Sequence, residues 1–371
     1  MKKFFPIIIA LVMALSSSVA LANEQLIEAS GEYVMDSRLD ETPASATARA
    51  REEAKRTAVE KAGVYLQSYS KMVDLQLDID EVHTVASRLL KIQEESSDVK
   101  VIEKSLLKFI VTIKALVDEL NENDLKKLMQ DKQTIEELTL KNKELQEKYD
   151  ALNRQMNQYR SEFDSASEAQ KVEIKKEVAR NSERFRAVDE LIKGNNFSSG
   201  KDYAQALSAY DTAISLDPQL AEAYNNRGIV RYELGQFSKA VEDYTTAISL
   251  KQNYADALNN RGNAYAALEQ FQKAKSDLQA ALKINDNSAN GHNNLGSVYF
   301  SQKNFSAAIS EYTRAIQINP NFAGAYYNRA IACYGQGNLT QALIDAQRAF
   351  SLNLNDADIR AFYEKICKQL L

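Results

Sequence analysis

The chain has 371 residues, with 46 basic against 51 acidic side chains, a formal net charge of −5, two histidines and two cysteines. A mildly acidic balance argues against nucleic acid as a partner, because phosphate binding needs a basic face. His83 and His292 lie in separate regions and form no metal site, and no nucleophile–base pair, glycine-rich phosphate loop or metal-ligand spacing appears anywhere. These absences predict a protein without enzymatic activity, cofactor or metal.

Residues 1–22 have the pattern of a secretory signal peptide: Lys2 and Lys3, then an apolar stretch from Phe4 to Leu15, then Ala20-Leu21-Ala22 as a small-residue cleavage site. The apolar run is short for a membrane span. Cleavage leaves 44 basic against 51 acidic residues, or −7. The expectation is an exported protein with no membrane span after cleavage, in a bacterial periplasm.

Residues 23–118 predict a small α+β domain. Ile27, Ala29, Gly31, Tyr33 and Met35 alternate with polar residues as a half-buried strand. Pro43 opens a helix carrying Ala50, Ala54, Ala58 and Ala62 four apart, with Gly63 near its end, and Ile79, Val82, Ala86 and Leu89 mark a second helix. Phe109, Val111, Ile113, Ala115 and Val117 form a last alternating strand. The run from Ala50 to Tyr65 and the segment Phe109–Asp118 resemble the domain at the start of flagellar-assembly protein T and of some envelope lipoproteins. That resemblance implies an envelope protein without known catalysis.

Residues 119–186 carry a heptad. Leu128, Ile135, Asn142, Tyr149, Met156 and Phe163 recur every seven residues as a, and Leu138, Leu145, Leu152, Tyr159 and Ala166 as d. Asn142 in the a series is a device that fixes register and favours a parallel pair. After Phe163 the next apolar a-like residue is Ile174, which predicts a four-residue insertion that locally unwinds a continuous coil. Two readings are open: a homodimer through this coiled coil, or one amphipathic helix folding back on its own chain.

The remainder follows a strict lattice. Ala206, Ala240, Ala274, Ala308 and Ala342 stand 34 residues apart, and so do Ala213, Ala247, Ala281, Ala315 and Ala349. This period predicts helix–turn–helix units stacked as a solenoid. With repeats beginning at Ala187, Ala221, Ala255, Ala289 and Ala323, position 8 reads Gly194, Gly228, Gly262, Gly296 and Ala330. Position 24 reads Tyr210, Tyr244, Leu278, Tyr312 and Ala346, so the small and large residues offset each other. These residues resemble the tetratricopeptide repeat (TPR) family over residues 187–356. Position 4 is Tyr224, Leu258, His292 and Tyr326, and position 7 is Arg227, Arg261 and Arg329; His292 is read as core. Residues 357–371, with Ile359, Phe362, Ile366 and Leu370, read as a capping helix.

In this family, positions 2, 5, 6, 9 and 12 of each first helix tend to line the concave face. The resemblance therefore implies a peptide-binding groove of Asn225, Asn226, Asn259, Asn260, Asn263, Asn293, Asn294 and Asn328, with Tyr232, Phe300, Tyr327 and Tyr334 between them. Such asparagines donate to and accept from a peptide backbone without demanding charge. Asparagine at position 6 is also this family's habit, so a packing reading stands beside the binding one. The basic clamp that related proteins use for C-terminal carboxylates is missing, since position 2 is Glu222, Asp256, Asn290 and Gly324. Cys333 and Cys367 read either as a disulfide or as two small buried residues.

The predicted architecture is mainly α: a carboxyl-terminal TPR solenoid, a central coiled coil and a small amino-terminal α+β domain. The predicted function is a non-enzymatic adaptor that binds a protein or peptide in its groove. The rivals are a structural spacer of the cell envelope with an idle groove, and a component resembling periplasmic cell-division coordinators.

Overall fold

The structure is a computed structural model and describes residues 26–72, 82–83, 85–87, 90–103, 105–117 and 132–370. The signal segment 1–22 and the expected apolar positions Ile79, Leu89 and Leu128 lie outside the described residues, as do the side chains of Ile135, Leu138 and Asn142. The chain divides into two compact units: residues 1–38 with 49–151, and residues 39–48 with 152–371. Among the described residues, no helix is long and apolar enough to cross a membrane.

The first unit is built on an antiparallel sheet of order β1-β3-β2, from β1 (Leu26–Asp36), β2 (Leu90–Glu103) and β3 (Leu106–Val117). The alternation expected for β1 and β3 is present, and Ile27, Ala29, Val111, Ile113 and Ala115 are buried. Helix α1 (Pro43–Met72) lays its alanine stripe, Ala50, Ala54, Ala58 and Ala62, into that face. The approach is backbone to backbone at Gly31, where an added Cβ would fall 2.1 Å from the Ala50 carbonyl oxygen. Gly63 does not end α1, which runs on to Met72, because a single glycine in a helix costs only about 1 kcal/mol. Strand β2 was not expected. Its Glu, Ser and Asp residues carry no alternation, and it is an exposed edge held by its pairing with β3.

The second unit joins residues 39–48 to a helical hairpin whose first helix enters it at residue 152. Helix α2 (Lys132–Phe163) ends at Phe163, and α3 (Glu168–Ser199) starts after a short turn. Ser167 opens α3, its backbone N–H donating to Gln170 Oε1 at 2.9 Å. The expected four-residue insertion in one continuous coil is therefore a reversal of direction. Met156 and Phe163 pack against Ile174 and Val178, and Leu39 fills the same cluster. Asn181 Nδ2 donates to Gln155 Oε1 at 3.0 Å, which pins the antiparallel arrangement. Glu41, whose side chain is 0% exposed, meets Arg160 at 3.2 Å.

The solenoid follows. The last turns of α3 and α4 (Tyr203–Leu216) form repeat 1. Repeat 2 pairs α5 (Ala221–Glu233) with α6 (Phe237–Leu250), and repeat 3 pairs α7 (Ala255–Ala267) with α8 (Phe271–Ile284). Repeat 4 pairs α9 (Ala289–Ser301) with α10 (Phe305–Ile318), and repeat 5 pairs α11 (Ala323–Gly335) with α12 (Leu339–Leu352). Helix α13 (Ala357–Leu370) comes last. All ten lattice alanines are buried. An added Cβ at Gly194, Gly228 or Gly296 would fall 2.5–2.7 Å from the ring of Tyr210, Tyr244 or Tyr312. Where position 24 is tyrosine, the two helices of a repeat can meet only because position 8 lacks a side chain; repeat 5 pairs Ala330 with the small Ala346 instead.

Candidate functional site

The eight predicted asparagines lie on the first helices of repeats 2–5, on α5, α7, α9 and α11. Asn260 Nδ2 donates to Asn225 Oδ1 at 3.1 Å, Asn294 to Asn259 at 3.1 Å, and Asn328 to Asn293 at 3.0 Å. Position 6 of repeats 3, 4 and 5 thus bonds position 5 of the repeat before it. Asn226 reaches Asn195 at 2.8 Å, which extends the ladder into repeat 1. The asparagines join the first helices into one face. Asn225 is buried and spends its own N–H on Asn226. Among the described residues, no side-chain partner meets Nδ2 of Asn259 or Asn293, Oδ1 of Asn260 or Asn294, or the amide of Asn263. Repeats 3 and 4 therefore each hold out a donor at position 5 and an acceptor at position 6, and repeat 3 adds the amide of Asn263.

The aromatic members are engaged inside the chain. Tyr232 sits edge-on to Phe237 at 5.2 Å between centroids, and Phe300 sits 5.5 Å from Phe305. Tyr327 and Tyr334 both pack edge-on against Phe362 of α13, at 5.7 and 5.8 Å. Lys365 lies 4.8 Å above the Tyr334 ring, and Gln369 donates to the Tyr334 hydroxyl at 3.1 Å. Burial pushes the Tyr232 and Tyr327 hydroxyls above the usual tyrosine range, with nearby carboxylates adding to the shift. The terminal helix thus covers part of the surface that the sequence assigned to a ligand.

A second network went unseen in the sequence. Position 7 arginines form two-pronged ion pairs with position 23 of the second helix. Arg227 binds Asp243, with Nη2 donating at 2.6 Å and Nε at 3.1 Å. Arg261 binds Asp277 at 2.7 and 2.9 Å, and Arg329 binds Asp345 at 2.8 and 2.7 Å. The three aspartates are buried, which makes the pairing obligatory. The hydrogen bonds to Asp277 and Asp345 hold the Arg261 and Arg329 guanidiniums above their ordinary range against burial.

The free Nη1 of each arginine then reaches back one repeat. Arg227 donates to Asp211 at 2.5 Å, Arg261 to Thr245 at 3.1 Å, and Arg329 to Thr313 at 3.0 Å. Each guanidinium is a strap across two repeats. The signal was in the sequence: Asp243, Asp277 and Asp345 each stand 16 residues after their arginine. Repeat 4 breaks the rule, with buried Leu295 at position 7 and Glu311 at position 23. There His292 takes the carboxylate, Nδ1 lying 2.7 Å from Glu311. The core assignment of His292 is therefore corrected: it is partly buried, and its ring nitrogens meet Glu311 and the Asp286 carbonyl oxygen.

Cys333 and Cys367 are both free thiols; burial raises the Cys333 thiol, and Cys367 is only half-buried. Among the described residues, no group of His, Cys, Asp and Glu could hold a metal ion.

These features define a helix-repeat solenoid whose units are locked by small residues, asparagine ladders and arginine straps. Comparison with known families says which kind. TPR repeat descriptions match residues 194–235, 230–268 and 296–337, and a tetratricopeptide repeat description matches residues 255–288. The repeats of this chain are tetratricopeptide repeats, and proteins built from them are typically scaffolds for protein–protein interaction.

No curated protein matches the chain. Among solved structures, it is similar to MamA protein, with 25% identity, 47% of this chain and 94% of that one covered, and a TM-score of 0.40. It is also similar to YrrB, described as a TPR protein with an unusual peptide-binding site, at 24% identity, 51% and 96% coverage and a TM-score of 0.40. A third is a thermophilic TPR protein of Thermus thermophilus, at 22% identity, 50% and 100% coverage and a TM-score of 0.44.

Proposed function

We propose that this chain is an exported, non-enzymatic adaptor of a bacterial envelope, which holds a protein or peptide segment on the first-helix face of its repeats. The observation that carries the proposal is the asparagine ladder, whose members in repeats 3 and 4 still offer an N–H and a C=O after bonding one another. Uncharged amides of this kind suit a polypeptide backbone. Export to a periplasm rests on the leader-like residues 1–22, and envelope docking rests on the resemblance of residues 23–118 to flagellar-assembly protein T. Self-association is proposed for the heptad seam ahead of Tyr149, because Tyr149, Met156 and Phe163 are already buried within one chain.

A second reading, the spacer with an idle groove, draws on the internal use of Tyr232, Phe300, Tyr327 and Tyr334. One comparison separates the two. Residues 23–371 and a variant with Asn226, Asn260 and Asn294 changed to alanine are immobilised and offered the same envelope extract. The adaptor reading expects a binder that the variant loses and that rebinds, once purified, only to the unmodified chain. Equal capture by both would favour the spacer.

A further inference from the structure

The open amides of repeats 3 and 4 specify the backbone form of their ligand, an inference that rests on the groove reading above. Asn259 offers Nδ2 and its neighbour Asn260 offers Oδ1; one repeat on, Asn293 and Asn294 offer the same pair. The open donors of Asn259 and Asn293, and the open acceptors of Asn260 and Asn294, each recur once per repeat. The step between pairs is the step between packed first helices, which are in direct contact through the Asn294–Asn259 bond. Packed helices lie about 8–10 Å apart.

A ligand must therefore return an equivalent amide to the same side about every 8–10 Å. A β-strand advances about 6.6 Å per two residues, and its third residue faces the opposite side, so it falls out of step. An α-helix rises about 5.4 Å per turn and bonds its own amides. A polyproline II chain has three residues per turn, rises about 9.3 Å per turn and leaves its amides unpaired. Only this last form matches both the spacing and the need for free amides.

We propose that the first-helix face binds a peptide segment in the left-handed polyproline II conformation, at three residues per repeat. Asn259 and Asn293 donate to its carbonyls, and Asn260 and Asn294 accept from the N–H of every third residue. The preferred sequence has proline at two positions of each three and a non-proline residue, which supplies the N–H, at the third.

The test uses the full chain with three fluorescein-labelled peptides of equal length: repeats of Pro-Pro-Gln, of Thr-Gln and of Gly-Ser. The expected result is binding of the Pro-Pro-Gln peptide about tenfold tighter than either other, since a preordered chain loses less entropy on binding. A variant with Asn259→Asp and Asn293→Asp keeps the oxygens that accept from Asn294 and Asn328 but removes the donors. It should melt at a similar temperature and lose the preference. If all three peptides bind equally and all lose affinity in the variant, the polyproline II assignment fails while the groove reading survives. If no peptide binds, or binding ignores the Asp changes, both fail.

Discussion

Gly296 acts through what it lacks: its missing Cβ leaves room for the Tyr312 ring, which an added carbon would meet at 2.7 Å. Gly296→Ala should destabilise the solenoid by about 1–3 kcal/mol in chemical denaturation, the range for overpacking a filled core. In a Tyr312→Ala background the sign should reverse, because alanine is better than glycine in a helix by about 1 kcal/mol. Repeat 5 already carries that combination as Ala330 and Ala346, both fully buried. This pairing was legible in the sequence because volume is a property of residue type and the 34-residue lattice aligns the two positions. A different position was not legible. The residue between the two helices of each repeat has positive φ: Lys201 61°, Gly235 72°, Glu269 58°, Lys303 59° and Gly337 86°. Two repeats use glycine there and three bear a side chain in the left-handed region, which costs about 1 kcal/mol. Lys303→Gly should therefore raise the denaturation midpoint slightly, and an unchanged or lower midpoint would count against this account.

Elements are joined by contacts that span much longer stretches of sequence. The Arg–Asp straps bridge 16 residues and two helices, a distance at which helical periodicity gives no warning. Arg261→Ala leaves Asp277 buried without its partner and should cost about 3–5 kcal/mol. Arg261→Lys should recover only part of that loss, since an ammonium cannot hold both carboxylate oxygens and Thr245 in one plane. A chemical denaturation series over the two variants checks the order. The heptad shows the converse limit. Its apolar seam was plain in the sequence, but Met156 and Phe163 are covered by Ile174, Val178 and Leu39 of the same chain. A seam specifies that something packs on it, and says nothing about whose helix it is. Leu39 is fully buried in that cluster, so Leu39→Ala should cost about 2–5 kcal/mol and expose residues 39–48 to protease. Strand β2 escaped detection for a third reason: an edge strand solvated on both faces has no alternation to read.

For the whole molecule, the sharpest open prediction is its state of association. Sedimentation of residues 23–371 at micromolar concentration should show a dimer if the seam ahead of Tyr149 pairs between chains, and a monomer would remove that part of the proposal. The solenoid itself divides unevenly. Stacked repeats unfold as a row of units coupled to their neighbours. Arginine straps tie repeat 2 to 1, repeat 3 to 2 and repeat 5 to 4, but Leu295 leaves repeat 4 without a strap to repeat 3. Across that seam the ladder contributes the single bond from Asn294 to Asn259. Leu295 and Val298 instead pack against Ala274 and Leu278 of repeat 3, so apolar contact replaces the strap here, and this seam is the one we expect to part first. Under load or heat, repeats 1–3 and repeats 4–5 should let go as two blocks, with amide exchange quickening first where α8 meets α9.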